Sequence, residues 1–149
     1  MTNLQPSALL FDRQALTLLR TALAAAAPQE GCALLLGAPR DGAVWGVDVI
    51  WPTLNVWQPR QQRSHRFALD PREQLQAQRW ARARQRQVLG AAHSHPASAP
   101  VPSAWDCRLT LAPALMVIEG CGPDRQRSLA CWWLPDQGDP KPLMWTMEG

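Results

Sequence analysis

The hydrophobic positions fall into short blocks separated by proline, glycine and aspartate. Residues 11–27 are apolar and alanine-rich, with Asp12 placed to cap a helix and Pro28 to stop it, which predicts a first helix. Gly31-Cys32-Ala33-Leu34-Leu35-Leu36-Gly37 is an unbroken apolar run closed by glycine, the mark of a buried strand. Pro39-Arg40-Asp41-Gly42 is turn chemistry, and residues 43–51 read as the partner strand of a hairpin. Residues 55–64 are polar and read as an exposed loop that includes His65 at its end, while Arg66-Phe67-Ala68-Leu69 alternates like a strand. Asp70-Pro71 opens a second helix running to about Gln87, with proline at its first position. Residues 88–95 predict another buried strand, in which Gly90, Ala91 and Ala92 leave room for a close backbone approach. A proline-containing loop then leads into a short helix from Ser103 to about Leu111. Residues 114–119 and 129–134 are further strands, and residues 143–147 add an edge strand. Strands interspersed with two long helices indicate a mixed α/β fold.

Composition narrows the picture. A length of 149 residues without repeats, low-complexity tail or linker suits one domain spanning 1–149. No stretch approaches the roughly 18 to 20 continuous apolar residues of a membrane span, and the start lacks the basic and apolar parts of a secretory signal, so a cytoplasmic location is expected. The net charge of +3 comes almost wholly from arginine, with Lys141 the only lysine. Arg72, Arg79, Arg82 and Arg86 share one stripe at helical spacing, which reads as a solvated helix face. Nucleic-acid binding is not indicated, because no basic stripe runs along the chain. Cys32, Cys107, Cys121 and Cys131 form no C-x-x-C pair, so neither a thiolate zinc knuckle nor a thioredoxin-like site is expected. Of Trp132-Trp133, adjacent on a strand, one should be core.

The candidate chemistry sits in one segment. Of three histidines, His93 and His95 lie two apart at the end of a predicted strand, so both side chains project from the same face. Pro96 ends that strand and places the pair at a rim. Catalytic zinc takes three protein ligands and keeps one position open. Asp106 follows across a loop long enough to turn back, and two neutral imidazoles with one carboxylate leave a net positive site that activates water. Each part also has a plain structural reading. An H-x-H pair can sit at a strand end for packing, and Ser103-x-x-Asp106 is a capping-box pattern. A general base is also needed. Glu73 belongs to a helix start and Glu148 to the tail, and the residues alone leave Glu30 and Glu119 equally open.

His93-Ser94-His95-Pro96 followed by Ser103 and Asp106 resembles the JAMM motif of the Jab/MPN metallopeptidases, H-[ST]-H-P, a gap, then S-x-x-D, with a glutamate upstream. Pro28-Gln29-Glu30-Gly31-Cys32-Ala33-Leu34-Leu35-Leu36-Gly37 resembles the first strand of that family, with Ala33 where glycine is usual. The resemblance implies a curved, mainly antiparallel sheet flanked by two long helices. It implies His93, His95 and Asp106 as zinc ligands, Glu30 as the carboxylate that deprotonates water, and Ser103 as the oxyanion donor. It implies a stand-alone, bacterial-type peptidase or isopeptidase whose partner is a ubiquitin-like or sulphur-carrier protein with a flexible Gly-Gly tail. Asn55 resembles an asparagine that fixes a loop beside the cleft in this family, and Trp105 would line that cleft or cover its helix. A non-catalytic MPN-like scaffold is the main alternative. A zinc deaminase would need a P-C-x-x-C segment that is absent, and a RadC-type relative usually carries H-N-H-P.

Overall fold

The computed structural model describes residues 5–149. Its elements run β1 (Ala8–Asp12), α1 (Arg13–Ala25), β2 (Cys32–Pro39), β3 (Val44–Thr53), a 3-10 turn (Arg60–Gln62), α2 (Pro71–Ala83), β4 (Gln87–Ser94), α3 (Ala104–Leu109), β5 (Ala114–Cys121), β6 (Arg127–Leu134) and β7 (Lys141–Glu148). The strands close into a seven-stranded barrel in the order β1-β3-β2-β4-β5-β6-β7. Pairing is antiparallel except for β1 with β3, β1 with β7, and β4 with β5. Among the described residues no helix is long and apolar enough to cross a membrane.

This corrects the expected α/β arrangement of a mainly antiparallel curved sheet flanked by two long helices. The molecule is mostly sheet, the sheet is closed and mixed, and its helices have 13, 13 and six residues. The closure depends on β1, whose residues Ala-Leu-Leu-Phe-Asp read as part of the first helix. Leu9 and Phe11 are buried and their neighbours are only half-buried, but Leu10 and Ala8 are apolar too, so the period-2 signal is hidden. Asp12 ends that strand and caps α1 directly, its carboxylate accepting the Ala15 N–H at 3.0 Å. Residues 143–147 were expected at an edge; β7 is longer and is bonded by β6 on one side and β1 on the other. Residues 66–69 form no strand, because the Ala68 N–H is taken by the Asn55 side chain at 3.1 Å.

Other expectations hold within a few residues: the β2–β3 hairpin, the Asp70 cap and Pro71 start of α2, and β4, β5 and β6. The core explains why β2 and β5 read as continuous apolar runs. Ala33, Leu35, Leu115 and Val117 face a central cluster shared with Leu16, Leu19 and Leu23 of α1. Leu34 and Leu36 face the other way, onto Ala77 and Ala81 of α2, while Met116 and Ile118 pack with Leu134. Both faces of these strands are covered, so alternation disappears. Trp133 is the buried member of its pair. Gly90 permits the close approach expected of it: a Cβ there would lie 2.5 Å from the Leu115 carbonyl oxygen.

Candidate metal centre

β4 runs between β2 and β5, and its end carries the two histidines. His93 stands opposite Cys32 on β2 and Ile118 on β5. The intervening Ser94 points to the other side, where its hydroxyl accepts the Gly31 N–H at 2.8 Å while its own N–H reaches the Gly31 carbonyl at 3.0 Å. That two-way link brings Glu30, one residue before Gly31, to the His93–His95 strand end. Glu30 is fixed from its other side as well. Its N–H donates to the Arg63 carbonyl at 2.7 Å, and its carbonyl accepts the Asn55 side-chain N–H at 3.0 Å. The same Asn55 amide also bonds Arg66, Trp57 and Ala68, so it ties residues 55–68 beside the site.

Asp106 arrives from α3. Ser103 caps that helix by accepting the Asp106 N–H at 3.0 Å, and Asp106 Oδ2 accepts the Ser103 N–H at 2.9 Å. The capping box expected from Ser103-x-x-Asp106 is therefore present, and it also aims the carboxylate inward. Asp106 Oδ2 lies 3.0 Å from His93 Nε2 and 3.1 Å from His95 Nε2, and the two nitrogens are 3.2 Å apart. With one carboxylate oxygen of Glu30, these atoms all lie within 4.8 Å of one another, and all four residues are buried.

Every atom turned inward is able to accept. His95 Nδ1 lies 2.8 Å from the Ala99 carbonyl oxygen, which can only accept. Nδ1 therefore carries the proton and Nε2 is left bare, facing an equally acceptor-only carboxylate. Glu30 Oε1 and His93 Nδ1 are buried without a hydrogen-bond partner. A cation at the centre resolves the conflict between facing acceptors. Ligands held about 2.0–2.1 Å from a tetrahedral zinc ion stand about 3.3 Å apart, close to the spacing of His93, His95 and Asp106. The residues thus fit a divalent metal ion of the nitrogen- and oxygen-binding kind.

The family model described as prokaryotic homologs of the JAB domain matches residues 12–135. The chain belongs to this family. The match takes in every strand from β2 to β6 and all four residues of the buried group. Two solved structures resemble this JAB domain along almost its whole length. A solution structure of a protein from Desulfitobacterium hafniense shares 28% identity with a TM-score of 0.81, covering 94% of this chain and 92% of that one. A solution structure of a protein from Salinibacter ruber shares 25% identity with a TM-score of 0.62, covering 91% and 90%. No curated protein matches.

The electrostatics of this JAB domain separate its two carboxylates. Burial, reinforced by the Asp106 charge and only partly offset by His95, raises Glu30 from 4.5 to about 7. Burial opposes ionisation of Asp106 as well, but the bonds from His93 and His95 overcome it and hold Asp106 far below the usual carboxylate range. Full burial lowers the His93 pKa despite Asp106, and its ring lies stacked on Phe67 at 4.3 Å between centroids. At His95 burial is outweighed by Asp106 and the Ala99 carbonyl, so its pKa rises.

The structure leaves Glu119 outside this group. It is also buried, but it faces Arg20 at 3.4 Å and Arg127 at 3.5 Å. His65 is exposed and apart from the site. Three contributors went unread in the sequence: Ser94 as the strand-end tether, Phe67 as the cover on His93, and the Ala99 carbonyl. Ser94 had a usable signal, since the middle residue of an H-x-H pair must face the opposite way. A main-chain carbonyl has none.

Two cavities meet at the quartet. One, of about 530 Å³, is lined by His93 and Asp106 together with Leu34, Leu69, Val88, Leu109, Leu111 and Met116. Trp105 lines it too, with the Arg66 guanidinium 3.9 Å above its ring. The other, of about 1080 Å³, is wider and is lined by Glu30, Asn55 and Arg63.

Proposed function

We propose that the protein is a zinc-dependent peptidase or isopeptidase that cleaves after the Gly-Gly tail of a ubiquitin-like or sulphur-carrier protein. One observation carries the reading: a buried ring of acceptor atoms from His93, His95 and Asp106 beside a second carboxylate, Glu30, whose pKa stands near neutrality. A zinc ion, when bound, supplies Lewis acidity and brings the acidity of water toward neutral pH. His93, His95 and Asp106 hold it. Glu30 does a different task, and its raised pKa suits that task. A carboxyl titrating near 7 takes a proton from water at neutral pH and returns it to the leaving amine. Ser103 uses a lone pair to cap α3 and keeps its hydroxyl proton, which is free to stabilise the developing oxyanion.

The two cavities support an extended substrate. A tail lying across the quartet has the aliphatic cavity on the His93 and Asp106 side and the wider cavity on the Glu30 side. A pair of glycines at the crossing leaves the main chain close to both carboxylates.

The test is cleavage of a carrier–reporter fusion by zinc-loaded protein, compared with Glu30→Ala. The expected result is turnover by the wild type and a loss of at least about a hundredfold in kcat on removing the base. Equal rates in the two proteins, or stoichiometric zinc with no turnover of any tailed fusion, would leave the non-catalytic scaffold as the better account.

A further inference from the structure

We infer that Arg127 and Gly120 are positioning residues that aim His95 by holding the loop 96–100 in place. The inference rests on the quartet being a metal centre. His95 presents a bare Nε2 only because its Nδ1–H is engaged by the Ala99 carbonyl at 2.8 Å. A metal-binding histidine whose other nitrogen is held in this way has its tautomer and ring orientation set by that acceptor. Ala99 belongs to a loop with no regular structure, so something must hold the loop.

The ends of β5 and β6 do so. A Cβ on Gly120 would lie 2.5 Å from Pro100 N, 2.6 Å from Ser98 O and 2.7 Å from the Ala99 carbonyl carbon. The loop backbone therefore rests directly on Gly120, and no larger residue leaves it there. The Cys121 N–H then bonds the Ser98 carbonyl at 2.8 Å. Arg127 grips the entrance to the loop. Its Nη1 reaches the carbonyls of His95 and Pro96, both at 3.3 Å, and its Nη2 reaches the Glu119 carbonyl at 3.3 Å. The Glu119 carboxylate, buried and also paired with Arg20, anchors the guanidinium at 3.5 Å. This gives the second buried glutamate its own task. It anchors the clamp and transfers no proton. Only a planar fork with several donors spans these carbonyls, which a single ammonium does not.

The experiment measures zinc affinity by competition with a chromophoric chelator in the wild type, Arg127→Lys, Gly120→Ala, the surface control Arg79→Lys and His95→Ala. Thermal stability of the metal-free proteins and ¹⁵N NMR of the His95 ring are recorded in parallel. Arg127 is 40% exposed, so Arg127→Lys is a mild change to the fold. It should weaken zinc binding roughly tenfold or more, as loss of an outer partner does, with little change in melting temperature. The His95 ring should shift from protonation at Nδ1 alone to a mixture of tautomers. Arg79→Lys should match the wild type. Gly120→Ala should weaken zinc more than Arg127→Lys; should it fail to fold, Arg127→Lys decides alone. Unchanged zinc affinity and an unchanged tautomer in Arg127→Lys overturn the inference, whatever its melting temperature. Zinc uptake by the wild type no greater than by His95→Ala is a separate result. It removes the metal reading and this inference together.

Discussion

In the metal-free protein Glu30 is a buried carboxyl with a pKa of about 7 against an ordinary 4.5. A carboxyl raised on folding binds its proton more tightly in the native state. Its contribution to stability is fully present below about 4.5 and is lost as pH rises through about 7. The shift corresponds to at most about 3 kcal/mol. Chelated wild-type protein should therefore lose stability relative to chelated Glu30→Gln between pH 5 and 8, in urea unfolding followed across that range. A difference independent of pH would show that Glu30 titrates normally. The residue scale is also where the sequence was most informative and least complete. His93, His95, Ser103 and Asp106 stand out because their spacing implies a strand end and a helix cap. Glu30 and Glu119 could not be separated by their own neighbours, since each lies at the end of an apolar run. What separates them is the Ser94–Gly31 link in one case and the two arginines in the other, and both are contacts between distant segments.

At the scale of elements, α3 matters more than its six residues suggest, because it carries Asp106. Its length leaves it dependent on the cap, since so short a helix is not stable by itself. Ser103→Ala should cost about 1 kcal/mol in thermal unfolding. It should also weaken zinc binding, while Ser103→Thr restores both; zinc affinity equal to wild type in Ser103→Ala would mean Asp106 is held by other means. This helix was legible because capping is a local code. β1 was not, because its outward residues are apolar and its last residue is also the cap of α1. Residues 66–69 misled in the opposite direction. They alternate like a strand, but a side-chain amide takes the N–H of Ala68, and Phe67 is used to cover His93.

For the whole molecule, closure was the property least visible in the chain. The seam joins residues 8–12 to 144–148, and no local pattern reports a pairing across such a separation. Phe11 meets Trp145 edge to face at 5.8 Å across it, and the Trp145 indole N–H donates to the Leu129 carbonyl at 3.2 Å. A chain ending at Pro140 should lose its cooperative thermal transition and its near-ultraviolet circular dichroism, because β1 and β6 are both left without a neighbour. A sharp transition in that truncated chain would show that β7 is dispensable.

The closed barrel also sets how this protein can read another chain. All seven strands have neighbours on both sides, so the sheet offers no free ladder of N–H and C=O groups to a visiting peptide. Recognition falls to side chains and to the two connections that flank the quartet, residues 54–70 and 95–113. The barrel that supports the histidines and the segments that select a substrate are thus separate parts of the molecule. Those connections can be exchanged between relatives to change what is recognised, while the strands that carry the site remain as they are.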